Sequence, residues 1–247
     1  MIRNRTTSNP ALSLNRWENQ IGVENDSLMT QSGALQKTGL LFILMFLSFI
    51  GTAWYMKTYH LTFSPMIGIM AFIAFLIVII SCFKPQWSPV LAPIYAIAEG
   101  IVLGSFTLFN EFMLEAFIIT AVIFFTLFIL YRAKVLRVSN GFVKLITGLT
   151  IGIALFYCIE LLLMSLNVAS GSLIFGGSWI TLGIGVFCLF VAASNLLVDF
   201  RMIDDGANEG LPQYMEWYFA LGLMISIVWV YVEVLRILRI LSRLLNN

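Results

Sequence analysis

Charge is scarce in this chain. Of 247 residues only 11% are Asp, Glu, Lys or Arg, where a soluble domain carries about 25%. That excludes an ordinary soluble protein, and a net charge of +1 leaves no argument for nucleic-acid binding. Histidine is nearly absent: His60 stands alone and builds no metal site by itself. Cys82, Cys158 and Cys188 all lie in apolar runs without close spacing. Neither a disulfide framework nor a zinc site follows from such a set, and the three read as small hydrophobic fillers. No His-Glu-x-x-His, Gly-x-Ser-x-Gly or phosphate-loop pattern occurs, so nothing points to an enzyme or to a cofactor. Internal repeats are missing too, which weakens a transporter built from duplicated halves.

What the chain has is apolar length. Residues 1–37 are polar, hold Arg3, Arg5 and Arg16, and lack an apolar core long enough for a signal peptide. They read as a disordered cytoplasmic tail. From 38 to 247 a transmembrane domain follows, all-α, with seven apolar runs at 39–56, 65–83, 89–109, 116–131, 142–166, 177–200 and 212–245. A membrane-crossing helix needs ~20 such residues. Pro65, Pro89 and Pro212 suit first-turn positions. Trp54, Tyr55, Trp87, Trp179, Trp217 and Tyr218 fall near span ends, as in an aromatic belt. Arg132, Lys134, Arg137 and Lys144 crowd the loop between spans four and five. With the basic tail they put the N-terminus inside. The last run is expected to cross rather than dip and return, with Arg236, Arg239 and Arg243 snorkelling to the far surface. Small residues recur four apart at Ala92, Ala96, Gly100 and Gly104 and again at Gly148 and Gly152. Such ladders let helices approach closely, within one chain more readily than between chains.

Against this background the carboxyl groups stand out. Glu99, Glu160, Asp199, Glu216 and Glu233 lie within or at the edge of spans. An Asp at a helix centre costs about 2.5–3.5 kcal/mol on the insertion scale, so several in one bundle argue for a polar interior visited by ions or protons. The hairpin of spans six and seven concentrates them. Asn195 lies one turn before Asp199 on the same face, and Arg236 follows Glu233 by three residues, within ion-pair reach. Two acids sharing a proton would make a switch between paired and separated helices. Asp199 and Glu216 flank the segment 204–210 almost symmetrically and are expected to lie level; Glu233 meets Asp199 if span seven bends or starts along the interface. The residues leave both pairings open. Glu99 follows Tyr95 by one turn and is the deepest acid of span three. Glu160 reads as an acid near the interface or bonded to a neighbouring helix, and Glu216 equally as a solvated acid at a helix N-terminus. Residues 204–210 lack the spacing of an EF-hand and read as a solvated acidic turn.

Four stretches carry a resemblance: Ser88-Pro89-Val90-Leu91-Ala92-Pro93-Ile94-Tyr95-Ala96-Ile97-Ala98-Glu99-Gly100, Asn195-Leu196-Leu197-Val198-Asp199-Phe200, Gln213-Tyr214-Met215-Glu216-Trp217-Tyr218, and Trp229-Val230-Tyr231-Val232-Glu233-Val234-Leu235-Arg236. In order and spacing the chain resembles the Bax inhibitor family, most closely its bacterial branch. The resemblance implies seven helices with the last one central. It implies a pH-sensitive calcium leak channel whose latch and proton sensor is an aspartyl pair on the last two spans. Asp199 matches the span-six member of that pair, and Glu233 stands, as Glu, where the span-seven Asp belongs. Some members carry charged residues on span two, where residues 65–83 have none. The resulting expectation is a cation pathway gated by Asp199 and Glu233 and lined by Glu99, Glu216, Asn195 and Arg236, in the plasma membrane. Its partners are lipid, calcium or another cation, and other membrane proteins. The rival readings are a non-conducting regulator of another membrane protein, such as a membrane protease, and a proton-coupled transporter.

Overall fold

Long apolar runs with few helix breakers satisfy their backbone groups internally as helices, the one open structure that lipid tolerates. The computed structural model describes residues 28–59, 65–105, 112–166, 176 and 178–245, and these form seven helices. They are α1 (Gln31–Tyr59), α2 (Pro65–Phe83), α3 (Ser88–Ser105), α4 (Met113–Arg132), α5 (Asn140–Ser165), α6 (Trp179–Asn208) and α7 (Met215–Leu245); a single 3-10 turn, Pro85–Trp87, precedes α3. Six are long and apolar enough to cross a membrane, and α2 is the short one. Side chains such as Ile43, Leu47, Phe75, Val122, Leu155 and Phe190 face outward, as lipid-facing residues do.

Polar side chains close the helix starts. Thr30 Oγ1 accepts from Gly33 N at 2.9 Å, Ser139 Oγ from Phe142 N at 3.1 Å, and Ser178 Oγ from Thr181 N at 3.2 Å. Each satisfies an N–H that has no partner within its helix. Helix α4 ends on Lys134 at φ 58°, with Val135 N donating to Leu130 O at 3.0 Å, the left-handed closure usually given to glycine.

Helix α7 is the axis of the bundle. It packs against α1, α3, α4 and α6, while α2 leans on α3 and α5 on α6. The main core gathers around it, with Met215, Leu223, Met224 and Val230 fully buried. The ladder on α3 works as expected. A Cβ on Gly104 would lie 2.6 Å from Phe49 O of α1, and one on Gly100 would strike Met45 O. Its counterpart on α5 does not: nothing lies within 4 Å of a Cβ at Gly148 or Gly152, so that pair brings no helix close.

All seven helices alternate in direction. The starts of α1, α3, α5 and α7 and the ends of α2, α4 and α6 share one face, here the near face. Arg132 Nη1 donates to Gln31 Oε1 across it at 3.2 Å, Tyr131 Oη to Asp204 Oδ2 at 2.8 Å, and Arg201 Nη1 to Val138 O at 2.8 Å. Helix α7 is one continuous 31-residue helix running back along α6 to the far face, so it does not dip and return.

Three expectations need correction. Residues 28–37 do not belong to a tail: Met29 N donates to Leu211 O at 2.8 Å, and α1 begins at Gln31; residues 1–27 lie outside the described part. Most of the acidic segment 204–210 is not a turn, because α6 continues to Asn208 and only Glu209 and Gly210 lie beyond it. Pro212 precedes α7 instead of opening it, and bridges to Leu28. The ends of the expected spans at 106–109 and residue 177 lie outside the described residues.

Candidate functional site

The register of α6 against α7 decides which acids can meet. A Cβ on Gly185 would lie 3.2 Å from Ile237 Cγ1, and one on Gly206 2.8 Å from Phe219. Between those two points Asp199 faces Ser226. Glu233 lies seven residues beyond Ser226, ~10 Å further along the axis, and Glu216 ten residues before it, ~15 Å the other way. The structure brings Asp199 to neither acid. The symmetric pairing with Glu216 fails because the turn is centred several residues later than 204–210. The pairing with Glu233 fails because α7 continues as one helix along α6, and its register there carries Glu233 past Asp199.

Asp199 instead occupies a cavity of ≈ 140 Å³ between α2, α6 and α7, with Ser81, Cys82, Tyr218 and Gly222 in its wall. Its Oδ2 is buried and has no hydrogen-bond partner among the described residues, and neither has Ser81 Oγ. A buried polar atom without a partner costs about 1–3 kcal/mol, and such atoms are rare enough in native proteins to call for an explanation. Asn195, expected to extend the polar stripe of Asp199, turns to α5: its Nδ2 donates to Thr150 Oγ1 at 2.8 Å and to Val191 O at 3.0 Å.

Glu233 and Arg236 come together as the three-residue spacing predicts. Arg236 Nη2 lies 2.5 Å from Glu233 Oε2. Tyr157 of α5 donates to Glu233 Oε1 at 2.5 Å and accepts from Arg236 Nη1 at 2.7 Å, and Trp229 Nε1 donates to Glu233 Oε1 at 3.1 Å. The guanidinium also stands 5.5 Å from the centre of the Tyr157 ring. Glu233 is 1% exposed and Arg236 8%. The arginine therefore does not snorkel; its charge is spent inside the bundle. A buried ion pair of this kind survives only when neighbouring donors and acceptors complete it, which is the part played by Tyr157 and Trp229. Sequence reasoning missed Tyr157. The signal was there, since a phenol in an apolar run needs a polar partner. It also missed that Cys188 lies against Tyr157 and Arg236.

Glu216 is a fastener rather than a solvated acid. It is 3% exposed, forms an ion pair with Lys37, and accepts from Thr30 N at 2.7 Å and Thr30 Oγ1 at 3.1 Å. Its carboxylate thus sits at the N-termini of α1 and α7 together, where both helix dipoles favour a negative charge. Gly33 leaves it room: a Cβ there would overlap the carboxylate. Lys37 also lies 5.4 Å over the Trp217 ring. Glu99 is half-buried on α3, within electrostatic reach of Tyr95, and Glu160 is buried at 5% exposure. No cluster of three or more His, Cys, Asp or Glu able to hold a metal ion occurs among the described residues.

The bundle thus holds two separate polar stations on its central hairpin: an open one at Asp199 toward the near face, and a closed one at Glu233 deeper in. No curated protein and no solved structure matches the chain at the level of significance. The family described as Bax inhibitor 1 like matches residues 9–243, almost the whole length, and the chain belongs to that family.

Proposed function

We propose that this protein is a pH-sensitive cation leak pathway, with calcium as the ion, rather than an enzyme. The observation that carries the reading is the buried, unpartnered Asp199 Oδ2 in its small cavity. A carboxylate buried in a membrane bundle with one oxygen left open is a station for a cation or a proton. The groups that face it are Ser226 and Tyr218 of α7 and Ser81 and Cys82 of α2; none of them carries a positive charge.

Glu233 supplies the closure. Arg236, Tyr157 and Trp229 occupy its carboxylate, and Cys188 backs the same cluster, so a cation arriving from Asp199 meets a neutralised plug. A proton on Glu233 breaks the pairing with Arg236, and one on Asp199 removes the attraction for a cation. Conduction therefore changes with pH through two sites in series, not through one shared proton. Glu99 is a further acid beside the route, on α3.

The charge distribution supports a cytoplasmic near face and N-terminus. That face holds Lys37, Lys84, Arg132, Lys134, Arg137, Lys144 and Arg201, as the positive-inside rule requires, and the plasma membrane is the host this reading assigns.

The test is calcium flux into liposomes containing the purified chain, at acid and neutral pH, for wild type, Asp199→Asn and Glu233→Gln. The expected result is a pH-dependent wild-type flux. Asp199→Asn lowers flux at both pH values, and Glu233→Gln flattens the pH response. Equal, pH-independent traces in all three overturn the reading.

A further inference from the structure

Helices α1 and α4 meet only loosely, through the ring of Phe117 against those of Phe42 and Phe46, 5.8 and 5.5 Å between centres. Between them runs an apolar cleft of ≈ 690 Å³. Along α1 it extends from Leu35 to Phe49 and along α4 from Phe128 to Met113, ~21 Å of helix in each case. Seven phenylalanines are in its lining, and its floor is the central helix, at Ile227, Val228 and Tyr231. Gly39 opens its near half: nothing lies within 4 Å of a Cβ placed there.

One turn beyond the near end of this cleft a second, polar cavity of ≈ 630 Å³ begins, with Gln31 of α1 and Tyr131 and Arg132 of α4 in its wall. Lys134, Arg137 and Arg201 contribute the other cations and Asp204 and Asp205 the anions. The anions are occupied. Asp204 accepts from Tyr131 at 2.8 Å, and Asp205 pairs with Arg201 at 3.2 Å. Arg132 bonds only Gln31, at 3.2 Å, and neither it, Lys134 nor Arg137 has an acidic partner among the described residues. Three cations without an acidic partner among the described residues thus stand one turn beyond the near end of the apolar slot.

The geometry points to an anionic phospholipid as the occupant, its phosphate on Arg132, Lys134 and Arg137 and one acyl chain in the cleft between α1 and α4. Charge complementarity selects the headgroup, since basic pockets at helix ends take acidic lipids. The length and apolarity of the slot select the tail. The tail would rest on Val228 and Tyr231, which lie between Ser226, the neighbour of Asp199, and Glu233. A bound lipid therefore touches the central helix between the two polar stations. This inference concerns binding and stands apart from whether the protein conducts.

The test is native mass spectrometry of the full chain released from detergent, with phosphatidylglycerol and phosphatidylcholine of identical chains as probes. Wild type is expected to retain phosphatidylglycerol preferentially. Each cation near an anionic headgroup contributes about fivefold, so Arg137→Gln lowers the preference about fivefold, and the triple variant R132Q/K134Q/R137Q abolishes it. Gly39→Leu, which fills the slot, lowers retention of both lipids. All these side chains are exposed, and circular dichroism confirms folding; should the triple variant fail it, Arg137→Gln alone decides. Equal retention of the two lipids by wild type, a preference unchanged in Arg137→Gln, or retention unchanged in Gly39→Leu overturns the proposal. So does displacement of the lipid by millimolar inorganic phosphate, which would make the cavity a site for the free anion.

Discussion

Replacing Arg236 by Met keeps an unbranched apolar stem and removes the guanidinium with its charge. Glu233, 1% exposed, would then keep two neutral donors, Tyr157 at 2.5 Å and Trp229 at 3.1 Å, and no counter-charge. Removing one partner of a buried pair costs about 3–5 kcal/mol. The two surviving donors place this case at the lower end, about 3 kcal/mol, which is more than a hundredfold in the folded-to-unfolded ratio. The double variant E233Q/R236M removes both charges and leaves the Gln amide within reach of Tyr157 and Trp229. Buried pairs replaced whole are close to neutral, so the double variant should return to within about 1 kcal/mol of wild type. The assay is reversible unfolding in mixed micelles with rising dodecyl sulfate, followed by tryptophan fluorescence. The deficit of the single variant should shrink at acid pH, where a proton on the carboxylate substitutes for the lost guanidinium. If the double variant costs as much as the two single variants together, the charges do not depend on each other and the description of this cluster is wrong.

Gly33→Ala places a methyl group on the Glu216 carboxylate and should cost about 1–3 kcal/mol in the same assay, as a displaced buried acceptor does; an unchanged midpoint refutes the fastener. Asn195→Leu removes the bond to Thr150, a side-chain hydrogen bond between α5 and α6, and should cost about 0.6–1.7 kcal/mol; a stabilised variant would show the bond to be unimportant. Glu209 lies past the end of α6, exposed at the surface, where partial desolvation and then the neighbouring Asp205 hold its carboxyl above the ordinary value. The folded chain therefore keeps a proton that the unfolded chain gives up. Stability from this group is present at low pH and declines as pH rises through the raised value. Glu209→Gln should remove that decline, so its melting temperature matches wild type in acid and exceeds it at neutral pH; parallel curves would contradict this.

The helices were legible because hydrophobic length is a one-dimensional signal. All seven appear where the apolar runs lie, and Pro65 and Pro89 mark two of their starts. Boundaries were less legible wherever polar residues continue a helix past the lipid. Asp204, Asp205 and Asn208 look like loop chemistry, yet they form the last turns of α6, stabilised by Arg201 one turn away at Asp205 and by Tyr131 from α4 at Asp204. The same holds for residues 31–37, polar in sequence but folded because Glu216, 179 residues from Lys37, takes both the Lys37 charge and the Thr30 N–H. No local pattern reveals a partner that distant. The Glu233–Arg236 pair, three residues apart on one helix, could be read directly.

That boundary error propagates into chemistry. A hairpin has one register, and shifting its turn by a few residues slides every level of α6 against α7. With the turn after Glu209, Asp199 meets Ser226, and the two acids expected to share a proton stand ~10 Å apart along the axis. Two acids at that separation titrate as individuals, each answering to its own surroundings. The surroundings differ in kind. Glu233 has a cation, a phenol and an indole on its carboxylate, whereas Asp199 Oδ2 has none of these. Glu at 233 also has the reach for this arrangement, since its carboxylate arrives at Arg236 on its own helix and Tyr157 on α5 together. Glu233→Asp shortens that reach by one methylene and tests it. The shorter acid should lose the bond to Tyr157 and, at about 1.5–3 kcal/mol for a hydrogen bond to a charged group, lower the dodecyl sulfate midpoint while leaving Asp199 undisturbed. If Glu233→Asp is as stable as wild type, the length of that side chain is not what holds the deeper station closed.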